Sequence, residues 1–385
     1  MHVFKDAHPP VAAGITRYMG DLAAASAARG HDVQLLVAGV RSPRTDQRSD
    51  GVTVRRVREW GRALSMPLSP RVVTETARLD ADIVHLHLPF PLGELGVLRN
   101  TSAGAVVASF HAQLGKQRLL APIFGPAQRA ALQRCGRVFA SSRILADSPE
   151  LSGVSERVVL APYGVSPQMV APARPTPRPN DGPLRLLFVG RLVYYKGVEV
   201  LFDALRSRLD VELTVVGDGA LRGDLERLLA ESPELTARVR MVHDASDDDV
   251  IEMHGQHDVV VLPSVSRAEA FGLSMAEAMA NGLPAISTQL GTGTDWVNIH
   301  DETGLTVPAG DSQALGVAID QMRDADLRCR LAEGAITRAR SVFAFDRHAD
   351  LVHDNYERAL GARPSNVDRL SRPSTTRFPR TVEAS

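Results

Sequence analysis

The chain has 385 residues, 44% hydrophobic and 23% charged, with a formal net charge of −1. That length exceeds what one hydrophobic core usually organises, so two domains are expected, and the composition excludes disordered and fibrous classes. No apolar run approaches the roughly 18 residues of a membrane helix, and no basic leader precedes an apolar stretch at the N-terminus, which together point to a cytoplasmic protein.

In chain order, "MHVFKDAHPP" supplies only three or four residues of a first strand. Strands usually run about five or six, so either this one is short or the true start lies upstream. "GITRYMGDLAAASAARG" (14–30) reads as an amphipathic helix. "DIVHLHL" (82–88), "AVVASFH" (105–111), "RVFASS" (137–142) and "RVVLAP" (157–162) read as buried strands of a first unit. "SPQMVAPARPTPRPNDGP" (166–183) holds six prolines and no periodic apolar pattern, which marks a linker.

A second unit repeats the pattern with "LRLLFVG" (184–190), "ELTVVG" (212–217), "VRMVH" (239–243), "DVVVLPS" (258–264) and "LPAIS" (283–287), and with a helical stretch at 221–232. Apolar strands alternating with helices imply parallel sheets covered on both faces. The expected organisation is a first Rossmann-like domain over 1–165, the linker, a second over 184–360 closed by a helix near 346–360, and a disordered tail from 361. Two such doubly wound domains leave a cleft at their strand C-termini, where ligands of these sheets bind.

Charge divides along the same boundary. Residues 1–170 carry 20 Lys and Arg against 13 Asp and Glu, whereas residues 171–385 carry 24 against 32. A basic first domain suits an anionic ligand or membrane surface. No aromatic stacking platform accompanies the charge, so nucleic acid is not an expected partner. Lys5, Lys116 and Lys196 are the only lysines beside 41 arginines, and a site wanting a compact ammonium is suspected at Lys116 and Lys196. Cys135 and Cys329, far apart and without a partner motif, read as buried free thiols.

Several loops could carry chemistry. "FVGRLVYYKG" (188–197) places Arg191 and Lys196 after a strand and a glycine, which makes either a diphosphate clamp or a solvated basic turn. In "VVGDGA" (215–220), Gly217 and Gly219 allow a tight turn or close approach to a ligand. "VLPSVSRAEAFGLSMAEAMANG" runs from strand through loop to a helix starting near Gly272-Leu273, whose free N–H groups suit a phosphate. Glu269 precedes that helix and Glu277 lies inside it; their bland readings are a loop acid and an acid favoured by the helix dipole. "HLHLP" sets His85 and His87 on one strand face, but a metal triad needs another partner, so no metal is expected and both should line the cleft wall.

Taken together, Glu269 and Glu277 with "FG" between them, Arg191 and Lys196 after a strand, and the intervening "GDG" resemble retaining glycosyltransferases of the GT-B fold. The group is the large bacterial family with paired glutamates eight positions apart, and the pattern is nearest to mannosyltransferase-like members. The resemblance covers roughly residues 3–360 and extends to "PPVAAGITRYMGDLA", "SFHAQLGKQ" and "GLPAIS…GTGTDWVN…ETGLTVPAGD".

The resemblance implies that Arg191 and Lys196 bind a donor diphosphate, Glu269 holds donor-sugar hydroxyls and Glu277 holds the ribose. Phe271, Gly272 and Leu273 would offer backbone N–H groups to the phosphates, with Gly217 nearby. Gly14 would approach from the opposite wall, and His111 would face the reacting sugar. No cofactor is implied. The donor would be a nucleotide-diphospho-sugar, GDP-mannose favoured over a UDP-hexose, and the acceptor a glycan or a polyprenyl-diphosphate-linked saccharide.

The chain departs from the pattern at Ala13, where a glycine is frequent, at Tyr163, where Asn is frequent, and at Asp244, where glycine is frequent. The basic, apolar-edged segment 115–139 reads either as a peripheral contact with anionic lipid or as an ordinary helix on its sheet. Two other readings share the architecture: a sugar-nucleotide epimerase and a non-catalytic binding module.

Overall fold

A computed structural model of the chain describes residues 1–7, 14–40, 43–63, 66–111, 121–171 and 182–361. Ala13, Lys116, Arg118 and the expected tail lie outside the described residues.

The first sheet contains His2–Phe4 (β1), Gln34–Val40 (β2), Arg44–Gln47 (β3), Thr53–Arg58 (β4), Ile83–Leu88 (β7), Ala105–Phe110 (β8), Arg137–Ala140 (β9) and Val158–Leu160 (β10). A small antiparallel ribbon, Arg62–Ala63 (β5) with Met66–Pro67 (β6), stands beside it. Its order is β10-β9-β8-β7-β1-β2-β4-β3, parallel except for the edge strand β3. Strand β1 is short, as the sequence suggests, yet it pairs on both sides, His2 with Leu35 and His85.

The second sheet contains Leu184–Val189 (β11), Val211–Val216 (β12), Val239–Val242 (β13), Val259–Leu262 (β14), Ala285–Gln289 (β15) and Gly304–Pro308 (β16), all parallel in the order β13-β12-β11-β14-β15-β16. Their valine- and leucine-rich runs are buried, as strands covered on both faces must be. The chain leaves β11 toward β12 on one side and reaches β14 on the other. The crevice beyond the ends of β11 and β14 is therefore the switch point at which such sheets bind ligands.

Four helices matter for the site: Gly14–Ala28 (α1), Asp247–Gln256 (α2), Leu273–Ala280 (α3) and Phe345–Gly361 (α4). Helix α4 corrects the expected domain plan, because it packs on the first sheet instead of closing the second unit. Tyr356 bonds His85 at 2.6 Å, His353 bonds Ser26 at 2.9 Å, and Asn355 accepts from Arg137 at 3.2 Å. The amphipathic face of α4 buries His348, Ala349, Val352 and Ala359. The chain thus crosses between the sheets a second time just before α4, where Val165 N–H donates to the Phe343 carbonyl at 2.8 Å.

Two smaller corrections follow, and one expectation stands. Cys329 is only partly buried, although Cys135 is fully so. Arg134 and Arg137 of the basic segment are engaged by the protein itself, Arg134 donating to the carbonyls of Val97, Leu98 and Asn100 while staying exposed and Arg137 reaching Asn355. No helix among the described residues is long and apolar enough to cross a membrane.

Candidate active site

At the end of β11, Gly190 and Arg191 open a loop that closes on the turn Tyr194–Lys196. Lys196 is buried, and its Nζ lies 2.6 Å from Glu269 Oε2. Arg191 stays exposed, with one guanidinium nitrogen 3.2 Å from the Tyr195 hydroxyl. The two cations therefore occupy one loop in different states, one neutralised and inward, the other free to meet solvent.

Gly217 explains itself structurally. Its φ is +139°, and a Cβ there would stand 2.0 Å from the Gly190 carbonyl oxygen. The close approach this glycine permits is to backbone, which holds the ends of β11 and β12 together beneath the clamp.

Across the crevice, β14 runs into the loop holding Ser264 and Glu269 and then into α3. Ser264 donates to Glu269 Oε2 at 3.1 Å, and Thr292 donates to the Glu269 main-chain oxygen at 2.8 Å, so the residue is held at both its side chain and its backbone. Gly272 caps the helix at φ +82°, where a Cβ would stand 2.9 Å from Leu262. Met275 and Ala276 donate to its carbonyl, so the N–H groups of Leu273 and Ser274 precede the first helical bond. Ser274 Oγ donates to the Val189 oxygen at 2.9 Å and ties the helix start to the end of β11. The Phe271 ring turns inward against Tyr163, at 4.9 Å between centroids, so its backbone alone is left for the site.

The first domain supplies the opposite wall. An added Cβ at Gly14, the first residue of α1, would lie 3.7 Å from Leu273. Lys5, just past β1, has its ammonium pKa lowered chiefly by burial, with Arg191 and Arg62 adding repulsion and Asp6 opposing it. Lys5 and Arg191 thus bring positive charge to the crevice from both domains. Sequence reasoning named Lys5 among the rare lysines but gave it no role; its position past a strand end was the available signal.

Glu277 is buried in α3, and desolvation pushes its carboxyl up to about 7. The nearby Arg17 favours the charged form, whereas Asp247 and Asp21 oppose it. Arg17 belongs to α1, and its Nη2 stands 2.5 Å from Asp247 of α2 in an ion pair between domains. Nothing in the local sequence marks Arg17, because only the packing of the two domains brings it here.

His111 differs from its expected role. It is 1% exposed, with Nδ1 at 2.5 Å from the Tyr163 hydroxyl and Nε2 at 2.9 Å from His87 Nδ1. Both ring nitrogens are engaged by the protein, so the ring belongs to the wall behind the crevice. Burial lowers its pKa to about 3 and keeps it neutral. His87 continues the chain to His2 at 3.0 Å.

His2 is the third imidazole that "HLHLP" lacked: nitrogens of His2, His85 and His87 lie within 4.8 Å of one another. Both nitrogens of His85 already bond Tyr356 and Ser109, and both of His87 bond other histidines. A metal here would have to displace those bonds, so the donor set is that of a hydrogen-bonded scaffold.

Two facing Rossmann-like domains, with a cationic loop, a fixed carboxylate and a helix N-terminus at the switch point of the second, define a GT-B glycosyltransferase. The family described as "Glycosyl transferases group 1" matches residues 171–338, and "Glycosyltransferase Family 4" matches residues 12–169. An O-antigen chain mannosyltransferase C of Escherichia coli is 28% identical over 377 residues, 94% of this chain and 98% of that one. A phosphatidyl-myo-inositol mannosyltransferase of Mycobacterium leprae is 30% identical over 329 residues, 80% of this chain and 83% of the relative. A sucrose-phosphate synthase from Thermosynechococcus elongatus shares the fold with a TM-score of 0.78 at 22% identity, covering 94% of this chain and 99% of that structure. The chain belongs to the group 1 glycosyltransferases.

Proposed function

We propose that the protein transfers a hexose, with mannose favoured, from a nucleotide-diphospho-sugar to a hydroxyl of a glycan or lipid-linked acceptor, with retention at the anomeric carbon, in polysaccharide or glycolipid assembly at the cytoplasmic side of a membrane. The observation that carries this reading is the buried Lys196–Glu269 pair, 2.6 Å apart, set between the start of α3 and the end of β11.

In this reading Lys196 and Arg191 meet the diphosphate, and the N–H groups of Gly272 and Leu273 point at its oxygens. Bond cleavage leaves an oxocarbenium-like sugar and a diphosphate whose charge grows, and preorganised cations and helix N–H groups lower the barrier most where charge develops. Glu269, fixed by Ser264, holds sugar hydroxyls, and Glu277 accepts from the ribose diol. Gly14 lets the opposing backbone come close. His111 acts as a positioning residue: its neutral ring, locked by Tyr163 and His87, braces the end of β8. The leaving diphosphate takes up the proton from the acceptor hydroxyl, so neither glutamate need serve as a nucleophile.

GDP-mannose is favoured because the two relatives quoted are named mannosyltransferases; a UDP-hexose is the second donor to try. An epimerase would need a second acid at the sugar, and among the described residues none stands beside Glu269.

Calorimetric titration with GDP-mannose, UDP-glucose, UDP-N-acetylglucosamine and UDP-galactose, with Lys196→Ala as control, tests the reading. One donor that binds the parent and not the variant supports it. Binding untouched by the substitution overturns the site, and turnover of a free UDP-sugar without acceptor would favour the epimerase.

A further inference from the structure

Trp60 is the most exposed large apolar side chain among the described residues, 72% open to solvent, and Leu68 across the ribbon from it is 50% open. The other tryptophan, Trp296, packs against Phe271 and Phe343. Single exposed apolar residues are ordinary on a protein surface. Trp60 differs in where it stands and in how firmly it is held.

Strand β4 ends at Arg58, so Trp60 lies just past the C-terminal edge of the first sheet, the edge that faces the crevice. The ribbon β5–β6 continues from it and turns back over the neighbouring strand ends. Arg62 Nη2 donates to Asp6 at 2.5 Å, two residues beyond β1, and a Cβ on Gly39 near the end of β2 would lie 3.6 Å from the same nitrogen. Lys5 is within electrostatic reach of both Arg62 and Arg191, so the ribbon borders the crevice already described. The Trp60 N–H donates to the Leu68 carbonyl at 2.9 Å, the Leu68 N–H to the Gly61 carbonyl at 2.8 Å, and the Ser69 hydroxyl to the Arg58 carbonyl at 2.6 Å. The indole therefore projects from a backbone pinned on both sides, which leaves little freedom to lose on binding. Beside it Arg62 is forked onto Glu59, with Nε and Nη2 each 3.1 Å from a carboxylate oxygen. Glu59 is only partly buried, and its oxygens keep lone pairs beyond those that Arg62 uses.

An open indole face next to a fixed carboxylate suits a pyranose. The ring's C–H bonds meet the negative face of the indole, and its hydroxyls donate to the carboxylate. Charge argues against a lipid surface here: Arg58 and Arg62 are balanced by Glu59 and Asp6, so the cluster has no net positive charge to draw anionic headgroups. Resting on the glycan acceptor read above, we propose that Trp60 forms an acceptor subsite, stacking on a neutral pyranose unit whose hydroxyls Glu59 accepts. Strand β4 lies two strands out from β1, about 10 Å away. The ring held by Trp60 is therefore a unit further along the acceptor than the one that carries the reacting hydroxyl. Recognition then favours an oligosaccharide acceptor over a single sugar.

The chain has two tryptophans, so Trp296→Phe leaves Trp60 as the only one and its emission reports the site directly. Titration of that full-length variant with an α-mannotriose, maltotriose and chitotriose should give a saturable shift with at least one of them. By calorimetry on the parent background, Trp60→Ala should weaken binding of the same trisaccharide about tenfold, as loss of one stacking contact does, and Trp60→Phe should recover most of it. GDP and UDP binding should be unchanged in Trp60→Ala, which also shows that the variant is folded. Nucleotide binding with no shift from any trisaccharide would overturn the subsite and leave the donor site standing. Trisaccharide affinity equal in parent and Trp60→Ala would overturn it too. Vesicles of phosphatidylglycerol in phosphatidylcholine that shift Trp60 emission where no trisaccharide does would assign the patch to a membrane and overturn the subsite. A Trp60-dependent trisaccharide response in a chain that binds no nucleotide-sugar would keep the saccharide site and remove the transferase reading.

Discussion

Lys196 and Glu269 neutralise each other in a position from which water is largely excluded, so neither can be removed quietly. Deleting one partner of a buried pair leaves the other unpaired, which costs more than the pair contributes. Lys196→Ala and Glu269→Ala should each cut transfer by at least about 10²-fold, read as kcat/KM for the donor, as loss of a stabiliser of developing charge typically does; near-parent rates in either would remove these residues from the site. Gly217→Ala is a different kind of lesion. A side chain at φ +139°, pressed 2.0 Å from a carbonyl oxygen, forces the clamp loop off the sheet. It should lower the unfolding free energy by roughly 2 kcal/mol or more in denaturant titration and weaken donor binding too. Both loops were legible in the sequence because each carries its residues within one turn after a strand. Arg17 and the Lys5 contribution were not, since a sequence pattern records what lies along the chain and these residues act across the crevice.

The strands repay the same comparison. Runs such as "DVVVLPS" and "LRLLFVG" announce themselves by continuous apolar character, and both are strands. Strand β4, "TVRRVR", does not, because its arginines are used in pairs: Arg55 with Glu75 and Arg56 with Asp46. Strand β16 begins at a glycine and ends at a proline, both of which weaken a strand reading. The histidines on β1, β7 and β8 were visible, but their partners were not, since they meet by register across neighbouring strands.

That register has a consequence for acid stability. Burial lowers the pKa of His2, His85, His87, His111, His254 and His348. A depressed folded-state pKa means stability that is present above the unfolded value of 6.5 and lost as pH falls toward the folded one. Asp21, Glu94 and Glu277 act oppositely: burial raises them to about 6, 7 and 7, so their contribution is lost as pH rises toward those values. With His257 and His353 lowered by burial as well, eight imidazoles against three carboxyls leave the histidines in control around pH 5 to 6. Each uncompensated proton is worth about 1.4 kcal/mol per pH unit. The melting temperature should therefore fall steeply between pH 6.5 and 4.5, and His87→Gln should flatten the slope; a flat profile would mean that these rings are not held neutral.

At the scale of the molecule, the two sheets share one continuous apolar region, in which Tyr18, Leu22 and Phe139 of the first unit join Phe271, Met275 and Phe343 of the second. The interdomain pair of Arg17 with Asp247 lies beside it. Sequence reasoning found the two units, because each repeats its own alternation of apolar strands and helices. It assigned α4 to the wrong unit because its amphipathic face is equally suited to either sheet, and only the bonds of Tyr356, His353 and Asn355 decide. Ending the chain after Ala344 should expose the first sheet, lower the melting temperature by several degrees and raise binding of a hydrophobic dye. Tyr356→Phe, which removes only the hydroxyl bonded to His85, should cost about 1 kcal/mol by the same melt.

The placement of α4 also bears on the order in which the protein comes into being. A ribosome delivers the first sheet early and its covering helix, Phe345–Gly361, only after every strand of the second, and domains generally fold as units in the order they are made. Here the amino-terminal half must wait, with the face around Val107 and Phe139 uncovered, while the whole second half is made and folds. Translation halted before Phe345 should therefore leave the first half less soluble than translation carried past Gly361, as read by the soluble fraction of the two products.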